Sequence, residues 1–166
     1  IEDASKIWWD LRPSSKFPTI ESRICDVAPR MEVTLPLAAL THCLTRMLWR
    51  TSRAGQGWPT VANFMIGENR WRAQRYGVSD GQIDFGRKAM IPFAQAVDEI
   101  LDLVAEDAAA LDCVAEVAAA RKIVQHGTSA DHQRSVRDSA LASGATQPEA
   151  MAAVVTSLIA DFHADL

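Results

Sequence analysis

The sequence predicts an α+β chain: one pair of strands near the beginning, then five or six helices. Three observations carry that prediction. Two stretches within residues 7–26 read as strands separated by a short turn, apolar residues further on recur at helical spacing, and the later segments open and close on recognisable helix punctuation.

The strands are Ile7-Trp8-Trp9-Asp10-Leu11-Arg12-Pro13-Ser14 and Thr19-Ile20-Glu21-Ser22-Arg23-Ile24-Cys25-Asp26. Side chains alternate between faces along a strand, so Glu21 and Arg23 point the same way, as do Asp10 and Arg12. One sheet face therefore gathers carboxylates and guanidiniums. Such a face suits a metal-bound polyphosphate, because carboxylate oxygens are hard ligands for Mg²⁺ or Mn²⁺ and the planar fork of Arg takes phosphate oxygens two at a time. It suits an exposed face with ordinary salt bridges equally well, and a single Glu-x-Arg does not separate the two. Asp10 reads first as the ion-pair partner of Arg12 and second as a metal ligand.

The helices follow. Thr34 is the expected cap of the first, with Pro36 in its opening turn, and Leu37, Leu40, Leu44, Met47 and Leu48 form one apolar stripe that ends near Gly55. Trp58-Pro59-Thr60 opens a second helix through Val61, Phe64, Met65, Asn69, Arg72 and Tyr76, stopped by Gly77. The connection from Val78 to Ile91 holds Gly81, Gly86 and a short extended piece from Gln82 to Phe85. Pro92 starts a long helix with Phe93, Val97, Ile100, Val104, Ala108 and Leu111 along one side. Cys113, Val114, Val117, Ile123 and Val124 continue the pattern toward His126-Gly127, as one helix or as two with a bend near Leu111. Thr128-Ser129-Ala130-Asp131 resembles a capping box and opens a helix through Val136 to Leu141 that ends at Ser143-Gly144. Thr146-Gln147-Pro148-Glu149 is a cleaner box before a last helix with Met151, Val154, Val155, Leu158, Ile159 and Phe162. Residues 1–166 thus read as a single unit, with sheet strands over 1–30 and a helical region over 31–166.

Composition narrows the function. The chain has 166 residues, 48% hydrophobic and 23% charged, enough for a packed core and too apolar for a disordered chain. It begins at Ile1 and runs almost directly into a strand, which reads as an internal start. No signal-peptide pattern and no apolar run near the ~20 residues of a membrane span are present, so a soluble, cytoplasmic protein without a membrane partner is expected. A formal charge of -4 argues against a nucleic-acid partner, whose phosphates call for a basic surface. Asp98, Glu99, Asp102, Glu106, Asp107, Asp112 and Glu116 concentrate in one helical region and read as a solvated face, whereas Arg50, Arg53, Arg70, Arg72, Arg75, Arg87 and Lys88 come earlier. Cys25, Cys43 and Cys113 are odd in number, lack C-x-x-C spacing and fall inside expected regular elements, which fits reduced, buried thiols.

The layout leaves a sheet unfinished. Two strands are marginal alone, since stable sheets generally need three or more or a helix packed on one face. Helices could cover Ile20 and Ile24, but the face with Glu21 and Arg23, and at least one strand edge, would stay open. The remaining strands are expected from a missing N-terminal half or from another subunit.

Four motifs in order then carry a resemblance: Trp9-Asp10-Leu11-Arg12-Pro13-Ser14; Pro18-Thr19-Ile20-Glu21-Ser22-Arg23-Ile24-Cys25-Asp26; Glu68-Asn69-Arg70-Trp71-Arg72-Ala73-Gln74-Arg75-Tyr76-Gly77; and Gly127-Thr128-Ser129-Ala130-Asp131-His132-Gln133. Together they resemble the carboxylate-amine ligase family, which includes the type-2 glutamate-cysteine ligases, over nearly the whole chain. The resemblance implies the C-terminal portion of a larger catalytic domain with a glutamine-synthetase-like fold, a curved and largely antiparallel sheet whose inner face binds ATP and metal ions. It implies an ATP-dependent ligase that joins a carboxylic acid, the γ-carboxylate of glutamate first, to an amine such as that of cysteine, through an acyl phosphate. ATP, Mg²⁺ (or Mn²⁺) and amino-acid substrates are the implied ligands, and a homo-oligomer is the expected assembly.

By the same resemblance Glu21 is a metal ligand, Arg23 contacts a phosphate oxygen of ATP or of the acyl phosphate, and Arg12 is the next candidate for an anionic group. Arg23 and Arg12 are thus the candidate catalytic and ATP-binding residues. Phosphoryl transfer calls for charge neutralisation and positioning rather than a side-chain nucleophile, which suits these residue types. Asn69 and Arg70 are candidates for substrate binding. The other reading of their helix is a salt-bridged face fixing it against the sheet, with Arg72 and Arg75 sharing a side with Glu68. His126 and His132 read as exposed residues of a helix junction, and His42 and His163 receive no role. The five tryptophans, Trp8, Trp9, Trp49, Trp58 and Trp71, could stack an adenine but read as core. No Gly-x-Ser-x-Gly and no Walker-type phosphate loop is present. The alternative from another class is a noncatalytic helical interaction module, or an inactive family member. Nucleic-acid binding through Arg70 to Arg75 conflicts with the acidic balance. The 166 residues alone are expected to be catalytically inactive.

Overall fold

The computed structural model describes residues 3–164. Ile1, on which the internal-start reading rests, lies outside them. A short 3₁₀ turn at Ala4–Lys6 leads to β1 (Leu11–Pro13), which pairs antiparallel with β2 (Ile20–Ser22) so that Leu11 faces Ser22, Arg12 faces Glu21 and Pro13 faces Ile20. These strands are shorter than the segments 7–14 and 19–26. Backbone bonds extend the pairing by one step at each end, Arg23 N–H to the Asp10 carbonyl at 2.7 Å and Ser14 N–H to the Thr19 carbonyl at 2.9 Å. Pro13 has no N–H to give, and the Ser14 hydroxyl closes the loop by accepting from the Lys16 and Phe17 amides.

Helix α1 (Met31–Arg53) starts before Thr34, which is not a cap: its hydroxyl donates to the Arg30 carbonyl one turn back, at 3.1 Å. Helix α2 (Asn63–Tyr76) begins after the Trp58-Pro59-Thr60 segment rather than on it, and stops at Gly77, whose φ of +60° ends the helix as expected. Between Gly77 and Pro92 lies a second antiparallel hairpin, β3 (Gln82–Asp84) and β4 (Ala89–Ile91). Only its first strand was legible in sequence. Its turn is held by the Asp84 carboxylate, which accepts from the Arg87 amide at 2.8 Å, and Gly81 precedes it because any Cβ there would lie 2.5 Å from the Ile91 carbonyl oxygen.

The long helix expected from Pro92 is three: α3 (Phe93–Leu103), α4 (Ala105–Ala110) and α5 (Val114–His126). The first break falls at Val104, not only near Leu111, and the second is turned by Asp112 at φ +53°. Helices α6 (Ser129–Ala142) and α7 (Gln147–His163) follow, each opened by its capping box. The described residues therefore hold seven α-helices, against the five or six expected, within the same α+β class.

The core is made of small and flexible side chains. Cys43 and Met47 of α1 meet Leu101 of α3, Val104 at the first break, Ala108 of α4, and Val117 and Ala120 of α5. Helix α6 packs chiefly on α7, where Ala150 and Val154 are buried. The tryptophans do not enter this core: all five are exposed, Trp71 on α2, a helix that buries no residue. Cys25 also departs from expectation, sitting exposed beyond β2. Asp107 departs the other way, fully buried where a solvated acidic face was expected. No helix among the described residues is long and apolar enough to cross a membrane.

Candidate functional site

Register sets the geometry of the strand pair. Arg12 and Glu21 are directly opposed, and the guanidinium straddles one carboxylate oxygen, Nη2 at 2.6 Å and Nε at 2.9 Å from Glu21 Oε2. Arg12 is largely covered and Glu21 half-exposed. The pair borders a cavity of about 300 Å³ that is also lined by Asp3, Ser14, Lys16 and Phe17. One residue beyond β2, Arg23 stacks its guanidinium over Trp8, 4.9 Å from the ring centroid. Among the described residues no carboxylate lies within ion-pair distance of Arg23.

Asp10 does not hold Arg12. Its carboxylate accepts from Arg70 Nη1 at 2.7 and 2.9 Å, while Arg12 is engaged across the ladder by Glu21. The reason is reach: cross-strand neighbours face each other at close range, whereas residues two apart on one strand are separated by a full pleat. This Asp10–Arg70 pair brings α2 up to the strand pair, a neighbourhood the sequence did not establish. Arg72 is ion-paired, with Glu68 of its own helix at 3.9 Å and with Asp80 at 2.7 Å, toward the loop before β3 rather than toward the first strand pair. Asn69, a candidate for substrate, is engaged elsewhere: its amide donates to the Ile83 carbonyl at 2.9 Å and accepts from the Ile83 N–H at 2.8 Å. Residues 10–23 and Arg70 together place Arg12, Lys16, Arg23 and Arg70 against Asp10 and Glu21, a cationic surplus in a chain of net charge -4.

The carboxylates present do not by themselves fit a divalent metal. Asp10 and Glu21 are each neutralised by a guanidinium, and no group of three His, Cys, Asp or Glu residues among the described residues could hold an ion. A hard cation takes six or more oxygens, so Glu21 could supply one ligand at most. His132 is a junction residue: its Nε2 lies 3.0 Å from the Ser157 hydroxyl and 3.8 Å from Asp161, joining α6 to α7.

The polar centre that sequence reasoning missed is Asp107. Its buried carboxylate accepts from Arg46 and from Arg50, whose Nη2 lies at 2.9 Å, and these hydrogen bonds, Arg50's foremost, hold it below the usual carboxylate range against the cost of burial. An i, i+4 pair of arginines on α1 was the available signal.

Comparison with known proteins gives these residues a context. The family model of glutamate-cysteine ligase family 2 matches residues 1–157. Curated relatives named "Putative glutamate--cysteine ligase 2" are 55% identical in Jannaschia sp. (strain CCS1), 52% in Rhodospirillum rubrum and 51% in Ruegeria pomeroyi, each over all 166 residues of this chain. The alignments cover 44%, 43% and 42% of those proteins, so this chain spans less than half the length of the relatives it matches. No solved structure matches. The match makes this chain a portion of a longer polypeptide of one protein family. The chain belongs to glutamate-cysteine ligase family 2.

Proposed function

We propose that the complete polypeptide joins the γ-carboxylate of glutamate to the amine of cysteine in an ATP-dependent reaction, with the acid activated as an acyl phosphate before the amine attacks. The observation that carries this reading is the family match over residues 1–157, which contains the whole charged strand pair. Within it Arg23 is the residue best suited to an anionic oxygen, since its guanidinium rests on Trp8 with no carboxylate partner among the described residues. Arg stacked on a ring keeps its donor fork directed outward, which suits binding a phosphate oxygen at two points. Arg12 acts first as the holder of Glu21, and contacts an anion only if that pair opens. Arg70 fixes α2 to the strand segment through Asp10.

Magnesium or manganese belongs to this proposal as a charge-neutralising companion of ATP, and the carboxylates that complete its shell come from outside the described residues. The same holds for the rest of the sheet: the open faces of the two strand pairs are covered by the remaining portion of the polypeptide or by another subunit of a homo-oligomer. The cytoplasm is the proposed compartment.

The test is metal-dependent ADP release by the complete polypeptide with glutamate, cysteine, both, and a panel of other acids and amines. Release is expected only with both substrates. Glu21→Gln and Arg23→Ala are each expected to lower kcat/KM by roughly 100-fold or more, the scale of losing one charge-stabilising group. Full activity in Glu21→Gln would remove that residue from the site, and no release with any pair by a folded protein would favour a noncatalytic helical module.

A further inference from the structure

Two of the three cysteines meet although 70 positions separate them. Cys43 lies in the middle of α1, fully buried in the helical core, and Cys113 is the residue that caps α5 just after the Asp112 turn. Their sulfurs are 3.5 Å apart. A disulfide needs about 2.05 Å, so closing it asks each sulfur to move by less than about 1 Å, within the reach of small side-chain rotations. Neither cysteine belongs to a group of three or more metal-ligating side chains among the described residues. Neither belongs to the charged strand pair.

We propose that Cys43 and Cys113 are a reversible dithiol–disulfide site that clamps α1 to the start of α5, oxidised by low-molecular-weight disulfides. The two thiols differ in a way that sets the order of events. Cys113 is partly exposed and is the one an outside reagent can reach. Cys43 is sealed in the core, out of reach of a reagent in solvent. In the first step the Cys113 sulfur bonds one sulfur of the reagent as the reagent's S–S bond breaks, and the other leaves as a thiol carrying the Cys113 proton. In the second step the Cys43 sulfur, already in contact, bonds Cys113 as the mixed disulfide breaks, and the second reagent thiol leaves with the Cys43 proton. One external disulfide is reduced to two thiols, and two protein thiols are oxidised to one bond.

The consequence is mechanical. The bond closes a long loop containing β3, β4, α2, α3 and α4, and long loops gain most from cross-linking. It also fixes the turn at Asp112, whose positive φ makes it a natural place for the two helices to part.

The test uses the complete polypeptide, reduced and then equilibrated across ratios of oxidised to reduced glutathione, trapped by alkylation and digested with trypsin. Cys43 falls in the peptide spanning residues 31–46, Cys113 in that spanning 89–121 and Cys25 in that spanning 24–30, so each pairing has its own mass. The expected product is the 31–46/89–121 cross-link, formed in one transition, reversed by dithiothreitol, and raising Tm by roughly 5–15 °C. In Cys43→Ser, Cys113 should instead carry one glutathione. Full alkylation of both cysteines under oxidising ratios, glutathione on Cys113 of the unsubstituted protein without the cross-link, or a cross-link from Cys113 to any other cysteine would overturn the proposal. These readouts do not depend on ligase activity.

Discussion

Asp107 shows how one residue can reverse a composition argument. Within the run from Asp98 to Glu116 it looks like any other acid on a solvated helix, and periodicity gave it no distinction. What turns it inward is the break at Val104, which begins a new helix and aims the next turn at α1, where Arg46 and Arg50 wait four residues apart. Neither breaking residue is Gly or Pro, so the turn is not written locally. The arginines remain a third exposed, whereas the carboxylate is sealed. Replacing Asp107 by Asn should therefore cost about 2 kcal/mol, because both guanidiniums can regain water. Replacing Arg46 and Arg50 together by Met should cost more, about 3–5 kcal/mol, since a buried charge is left alone. Denaturant midpoints of the two variants check the order, and a costlier Asp107→Asn would contradict it.

At the scale of elements, what could be read was local and what could not was long-range. The boxes opening α6 and α7 were legible because donor, acceptor and spacing lie within four residues: Thr128 N–H donates to Asp131 at 2.8 Å, and Thr146 N–H to Glu149 at 2.8 Å. The second hairpin was half-legible. Gln82 to Phe85 has strand character, but the role of Ala89–Ile91 depends on pairing across a turn where Lys88 adopts φ +54°. Arg12 with Glu21 was legible as types on one sheet and not as partners, because register, rather than alternation, decides who meets whom. Thr128→Ala should destabilise by about 1 kcal/mol. Gly127→Ala should cost more than that, since φ there is +86° and the new Cβ would sit 3.2 Å from Asp131. Thermal unfolding followed by far-UV circular dichroism measures both, and a Gly127→Ala protein as stable as the parent would refute the strain.

The whole molecule exposes 11,644 Å², whereas a compact monomer of 18.2 kDa exposes about 8,100 Å². The excess sits where large apolar residues are uncovered, at Trp8, Phe17, Val27, Phe64 and along α7 at Val155, Ile159 and Phe162. This agrees with a chain less than half the length of its relatives. The isolated 166 residues are accordingly expected to release no ADP. Their stability should follow pH through the carboxylates that the fold holds low: Asp107 by Arg50 and Arg46, Asp131 by the Thr128 amide, Glu149 by Thr146, and Asp84 and Glu99 by Arg87. Each binds its proton more weakly folded than unfolded, so this contribution is complete above an unfolded value of about 4 and is lost as pH falls through the lower folded values. Urea unfolding between pH 6 and pH 3 should show stability falling toward acid, less steeply in Asp107→Asn. A stability that rose as pH fell would overturn the assignment.

Asn69 has a consequence for how such a molecule survives in a crowded solution. Ile83 directs its N–H and carbonyl away from β4, and both are taken by one amide from α2. The side chain behaves as a third strand one residue long, giving the outer margin of β3 the donor and acceptor it would otherwise seek in a neighbouring molecule. A hairpin margin stoppered in this way offers no template for stacking chain upon chain, and the helix that supplies the stopper is anchored to the charged strands through the very next residue, Arg70.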